Sequence, residues 1–146
     1  MMYWPRPSEL VFRLSEPAAR EGREIIYADL LTVDRCWRGS IQAEYIPHTK
    51  SYHIDEIDQR SRDELLKNAD QLDIPCVRML GSSHLTIQTG THLFVLLREM
   101  ADLGYIQSIP FALLPCDAEK FRYYFRQKSS NTFCEQPMLA LYGDAA

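Results

Sequence analysis

A small single domain of the α+β class, with a short mixed sheet and flanking helices, is what this chain predicts. Its 146 residues suit one domain and leave little room for two. Hydrophobic residues make up 46% and charged residues 25%, so there is enough apolar surface to close a core. Strand-like and helix-like segments then follow one another. Strands and a short helix come first, then helix, hairpin, helix, strand and helix, with no repeat or linker between them. The domain is expected over residues 1–128, with its core at 74–127 and a loosely attached tail at 129–146.

Residues 1–8 carry two prolines and predict an extended arm. Leu10-Val11-Phe12-Arg13-Leu14 reads as a short strand, and Pro17 to Arg23, with Gly22 and mixed charge, as a turn. Glu24 to Leu30 is apolar and β-branched enough for a second strand. Thr32 is placed to cap a short helix through Val33, Cys36 and Trp37, stopped at Gly39. Ala43 to Ile46 reads as a strand ended by Pro47, and the polar stretch His48 to Asp58 as an exposed loop. Ser61-Arg62-Asp63-Glu64 resembles a capping box opening a helix through Leu65, Leu66 and Ala69, ended by Asp73-Ile74-Pro75.

The second half is patterned more sharply. Cys76 to Leu80 and His84 to Gln88 read as two strands joined by a tight turn at Gly81-Ser82-Ser83. Thr89-Gly90-Thr91 switches the chain into a helix. There Leu93, Leu96, Leu97, Met100 and Leu103 recur at helical spacing, and Gly104 is the expected C′ stop. Ser108 to Leu114 reads as a strand whose Pro110 predicts a late start or an edge position. Asp117 is placed to cap a last helix, Ala118 to Gln127, with Phe121, Tyr124 and Phe125 on one face.

Charge and cysteine usage narrow the function classes. With 16 basic and 20 acidic residues the chain carries −4 at pH 7, which argues against a surface that embraces DNA as a whole. Cys36, Cys76, Cys116 and Cys134 form no C-x-x-C pair, which is poor spacing for zinc and sparse for a disulfide scaffold. The N-terminus has no apolar h-region, and no run approaches the ~18 apolar residues that span a bilayer. The expected location is cytoplasmic, with reduced thiols and no membrane span.

The main candidate site is the junction of strand, Thr89-Gly90-Thr91-His92 and helix. Glycine permits close backbone approach, and the first turn of a helix presents unpaired N–H groups and a positive dipole end that suit a phosphate. On that reading Arg78, Thr89, Gly90 and Thr91 bind phosphate or nucleotide and His92 is the catalytic donor or base. The plainer reading is a capped helix with His92 in its exposed first turn. Arg78, lone in its strand, either faces solvent or turns toward the Gly90 loop. His53 with Asp55 and an acidic neighbour is a conceivable metal set, but the spacing fits a solvated loop and no metal ligand is assigned. Lys120, Arg122, Arg126 and Lys128 alternate with Phe121, Tyr123, Tyr124 and Phe125, a pattern that serves single-stranded nucleic acid or simply an amphipathic helix. No serine elbow is present, and no cysteine has an activating neighbour in sequence.

The stretch from Ile74 to Gln127 resembles the ParB/sulfiredoxin superfamily. Its pieces here are Pro75-Cys76-Val77-Arg78-Met79, then Leu85 to Phe94 as the hairpin strand and G-x-H box, and Ser108-Ile109-Pro110-Phe111-Ala112-Leu113 as the strand with Ile-Pro. Val33-Asp34-Arg35-Cys36-Trp37-Arg38, Tyr45-Ile46-Pro47 and Leu97-Arg98-Glu99 are similar to segments of plasmid fertility-inhibition factors. That resemblance implies a mobile-element inhibitor of conjugative DNA transfer. Its target would be a protein of the secretion channel or of DNA handling, nucleic acid being a further possible partner. ATP and a divalent metal are the candidate cofactors, and a nucleotide-dependent nuclease or ATPase the candidate enzyme. Gly90, His92 and Phe94 match the family box, but Thr91 and Leu93 stand where the family has arginines. Arginine is the usual bidentate phosphate ligand. The departure therefore implies the alternative, a non-catalytic acidic inhibitor that kept the fold and lost the site, unless Arg78 or Arg98 compensates.

Overall fold

The computed structural model describes residues 4–44, 59–81, 84–126 and 138–139. The domain is α+β. A four-stranded mixed sheet is ordered β2 (Glu24–Asp29), β6 (Ser108–Leu113), β4 (Cys76–Met79) and β5 (Leu85–Thr89). Beside it a small parallel sheet joins β3 (Leu72–Asp73), β1 (Val11–Arg13) and β7 (Met138–Leu139). Helices α2 (Leu30–Glu44) and α4 (Thr91–Asp102) pack on each other, with α3 (Gln59–Lys67) against α4 and α5 (Pro115–Arg126) against β2, β4 and β6. No helix among the described residues is long and apolar enough to cross a membrane.

The strongly patterned elements form as expected. Strands β4 and β5 are an antiparallel hairpin, and α4 ends at Gly104 with φ +83°. Phe94, Leu97 and Met100 of α4 are completely buried. An aromatic chain threads the core from Trp37 through Phe94 and Phe111 to Phe121 and Phe125, with successive ring centroids 5.6, 6.1, 6.0 and 4.4 Å apart. It ties α2, α4, β6 and α5 into one core.

Several expectations are corrected. Strand β6 is interior, between β2 and β4. The Ala112 N–H donates to the Pro75 carbonyl (2.9 Å), on the β4 side. Pro110, two residues earlier, has its nitrogen on that same side. There β4 has not yet begun to pair, since its register with β6 starts at Cys76↔Ala112. The missing donor therefore costs no ladder bond, and an interior place is open to this proline.

Pro17 to Arg23 is not only a turn. Residues Glu16–Arg20 form a short helix, α1, whose Ala18 N–H is accepted by Ser15 Oγ at 3.4 Å. Pro17 fits there because first-turn amides have no helical partner. The cap of α2 is Asp29 rather than Thr32: its Oδ2 accepts from the Thr32 N–H (2.9 Å) and hydroxyl (2.7 Å). That helix runs past Gly39 to Glu44, so Ala43 and Glu44 are helical rather than extended. Ser61 lies inside α3, and α5 opens at Pro115 rather than Ala118. Asp117 is instead buried, with Oδ2 accepting the Met79 N–H at 3.3 Å. The N-terminal arm is packed: Trp4, Pro5 and Pro7 are buried, and the Arg62 guanidinium lies 5.2 Å from the Trp4 ring centroid. Of the segment read as a tail, Met138–Leu139 forms β7 against β1. The readings at Tyr45-Ile46-Pro47, His48, His53, Asp55 and Cys134 lie outside the described residues.

Two ion pairs fasten α4 to its neighbours. Arg98 Nε meets Asp34 Oδ2 on α2 at 3.1 Å, and Glu99 Oε1 meets Arg62 Nη2 on α3 at 3.0 Å. The second is a single contact, leaving Arg62 Nε and Glu99 Oε2 buried without hydrogen-bond partners.

Burial pushes the Cys36 thiol up from 9 to about 11. Folding therefore favours the protonated thiol. The contribution is complete below pH 9 and is lost as pH rises toward 11. At pH 8, iodoacetamide is expected to modify the exposed Cys116 quickly and to reach the buried Cys36 and Cys76 only in denaturant. Peptide mapping of the alkylated protein checks this, and fast labelling of Cys36 would contradict it.

Candidate functional site

The hairpin delivers the chain to the junction singled out from the sequence. Gly90 stands at the N-cap of α4 with φ +86°, and Phe94 N–H makes the first helical bond to its carbonyl at 2.8 Å. No side chain caps this helix. A Cβ on Gly90 would stand 3.2 Å from Pro75 Cα and 3.3 Å from its Cβ. Left-handed backbone and tight packing thus both select glycine. Gly90→Ala is expected to destabilise by about 2 kcal/mol, the usual cost of αL for a residue with a Cβ plus displacement of Pro75. Urea unfolding checks it, and a variant as stable as wild type would be inconsistent with this geometry.

An open groove of about 600 Å³ lies at this junction. Ser15, Pro17 and Ala18 of the α1 region line it, with Ile74, Thr89 and Leu93 from the junction itself. Glu21, Arg23 and Asp73 are its charged members. Arg23 just precedes β2 and its side chain is 5% exposed. Its Nε donates to Glu21 Oε1 (2.6 Å), Nη1 to the Val77 and Ala112 carbonyls (3.3 and 3.2 Å), and Nη2 to Gln88 Oε1 (2.8 Å). A buried guanidinium is tolerated because its donors are nearly all used and a carboxylate balances its charge.

Gln88 reaches Arg23 because of a bulge. Cys76 pairs with Thr89 and Val77 with Ile87, so Gln88 is the extra residue on β5, and its side chain is re-aimed. Thr89 Oγ1 accepts the Cys76 N–H at 3.4 Å, steadying the strand end.

The candidate residues separate. Thr89 and Gly90 line the groove, whereas Thr91 and His92 are exposed in the first turn of α4 and are not among its lining residues. Arg78 is exposed on β4 opposite Thr86, three residues from Thr89 along β5, or roughly 10 Å of strand. It does not line the groove either. Leu93 does, while Phe94 is core. Arg98 is occupied by Asp34 and cannot stand in at the helix start.

On α5 the aromatic partners of the basic residues divide. Phe121 and Phe125 are buried and Tyr124 is half-buried, which leaves Tyr123 as the exposed ring. Arg122 pairs with Glu24 on β2, and Lys120 is exposed. The side chains of Arg126 and Lys128 lie outside the described residues. No group of three or more His, Cys, Asp or Glu residues spaced for a metal occurs among the described residues.

Glu21, Arg23, Asp73 and Gln88 are groove residues that sequence reasoning missed. Apart from Glu21, the partners of Arg23 lie 54, 65 and 89 residues away, so nothing local marks it as buried.

No protein-family model, curated protein or solved structure matches the chain. The groove's chemistry is therefore argued from its own residues. The two carboxylates, Glu21 and Asp73, are both well exposed, at 50% and 62% of their side chains, and the one guanidinium is sequestered. A nucleotide polyphosphate entering here would face two carboxylates and no exposed cation of the lining. The residues present do not fit it.

Proposed function

We propose that this chain is a ParB/sulfiredoxin-like inhibitor of the plasmid fertility-inhibition type, acting in the cytoplasm by binding a protein of the conjugative or DNA-handling machinery. The observation that carries the non-catalytic form of this reading is the lining of the junction groove. Leu93 and two exposed carboxylates stand where phosphate chemistry needs cations. An acidic inhibitor can occupy a basic nucleic-acid-binding surface by electrostatic complementarity, and the net charge of −4 is consistent with that.

The enzymatic alternative, a nucleotide-dependent nuclease or ATPase using His92, draws on the uncapped N-terminus of α4, where Thr91 and His92 are exposed. One experiment separates the two. The chain is expressed in donor cells carrying a conjugative plasmid, and transfer frequency is measured for wild type and His92→Ala. The protein-binding reading expects wild type to depress transfer and His92→Ala to do so equally, with purified protein neither hydrolysing ATP nor nicking plasmid DNA in the presence of magnesium. Loss of inhibition in His92→Ala together with wild-type hydrolysis would transfer the case to the enzyme. No effect of wild type on transfer would remove the inhibitor reading. Nucleic-acid binding through Lys120 and Arg122 predicts single-strand affinity that falls steeply with salt, and a flat or absent response excludes it.

A further inference from the structure

We infer that the groove between α1 and the β5–α4 junction receives a linear peptide segment of the partner protein, one that carries a lysine or arginine flanked by aliphatic side chains. This deepens the protein-binding reading above and rests on it.

Size, wall chemistry and charge agree on that occupant. A volume of about 600 Å³ lies within the range of ligand sites. Pro17 from α1 and Leu93 from α4 offer accessible apolar wall over the buried Ala18 and Ile74, which suits aliphatic side chains. The charge that remains accessible is negative. Arg23 is buried and its hydrogens go to Glu21, Gln88 and two main-chain carbonyls, so it offers an incoming anion little. Glu21 meets Arg23 through Oε1 and keeps half its side chain in solvent.

Among the described residues Asp73 is bridged by Arg13 Nε alone, at 3.4 Å, with both side chains more than half exposed. Exposed pairs of that kind are worth at most about 1 kcal/mol, so an incoming cation can displace Arg13. A basic side chain placed between Glu21 and Asp73 would gain two carboxylates, with its methylene stem along apolar wall. An acidic or phosphorylated segment would meet two carboxylates, each held by one arginine, and no exposed cation among the lining residues.

The test uses the full chain and two labelled, end-capped peptides. One alternates leucine with lysine and arginine; its twin has glutamate in place of each cation. Fluorescence anisotropy measures affinity for wild type, Asp73→Lys and Glu21→Gln. Amide NMR reports where each peptide acts, and thermal melts confirm that the variants fold. The expected result is saturable binding of the basic peptide to wild type, with shifts concentrated at Ala18, Ile74 and Leu93. Binding should weaken about tenfold in Asp73→Lys and less in Glu21→Gln. The glutamate twin should bind wild type at least tenfold more weakly. Equal affinity for Asp73→Lys, shifts confined to other surfaces, preference for the acidic twin, or no binding of either peptide overturns the inference.

The transfer assay keeps this failure apart from that of the broader reading. If Asp73→Lys still inhibits conjugation fully, the groove is not the contact and the peptide inference falls while the inhibitor reading stands. If wild type does not inhibit at all, the inhibitor reading falls whatever the peptides do.

Discussion

Replacing Arg98 with methionine is expected to destabilise the protein by about 3 kcal/mol, the lower end of the usual cost of removing one partner of a buried ion pair. Asp34 is 1% exposed and Arg98 Nε stands 3.1 Å from its Oδ2. Methionine keeps the apolar stem of arginine, so the loss reports mainly the missing guanidinium beside the buried Asp34 carboxylate. The converse substitution sharpens the argument. Asp34→Leu with Arg98→Met removes both charges together, and apolar replacement of a whole buried pair is often neutral. Urea denaturation of the two single variants and the double variant forms a cycle. The double variant is expected to recover most of the loss of Arg98→Met. Equal and additive losses would mean that the pair is not coupled. The measurement also bears on function, because a structural role in joining α2 to α4 removes Arg98 from any list of phosphate ligands.

Phe94→Ala should cost a similar amount, about 3–5 kcal/mol. The ring is completely buried and stands between Trp37, with centroids 5.6 Å apart and planes at 89°, and Phe111, at 6.1 Å. Truncation removes the second of the five rings of the aromatic chain, the one that joins Trp37 to Phe111, and leaves a cavity between α2, α4 and β6. Leucine at this position should recover part of the loss by filling some of that space. Calorimetric melting of Phe94→Ala and Phe94→Leu is the check, and a Phe94→Ala variant that melts with wild type would contradict the packing. The residue belongs to the G-x-H-x-F pattern that invites a functional reading. In this fold its aromatic member is core, and only Gly90 of the three matched positions lines the groove.

What could be read in advance followed local physics. The apolar, β-branched run of Glu24 to Asp29, the apolar spacing of Leu93 to Met100 and the turn glycines Gly90 and Gly104 each specify a conformation through neighbours a few residues away. Those elements appear as expected. Boundaries were less legible where local signals competed. Ser15 and Pro17 open a helix, yet Gly22 and the mixed charge around it read as a turn. Asp29 and Thr32 are both good caps, and in the fold the helix begins at Leu30, directly after Asp29. Gly39 is a plausible stop, but packing of α2 on α4 and β5 carries the helix past it.

The site was legible as a backbone and not as a chemistry. Sequence located the strand–Gly90–helix junction, because a glycine after a strand and before an apolar helix has a local meaning. It could not say which side chains face that junction. Arg78 and His92, near it in sequence, turn away from the groove, while Glu21 and Arg23, more than 60 residues earlier, line it.

By itself, then, the sequence determined the α+β class, the hairpin, the α4 helix and the glycine on which the chain turns, because those depend on periodicity and backbone conformation. The tertiary structure alone decided that β6 lies inside the sheet, that Arg23 is buried against Val77, Ala112 and Gln88, and that the groove presents carboxylates. The reason is range. Propensity acts within a turn or two of chain, whereas burial and charge pairing depend on groups that only folding brings within a few ångströms.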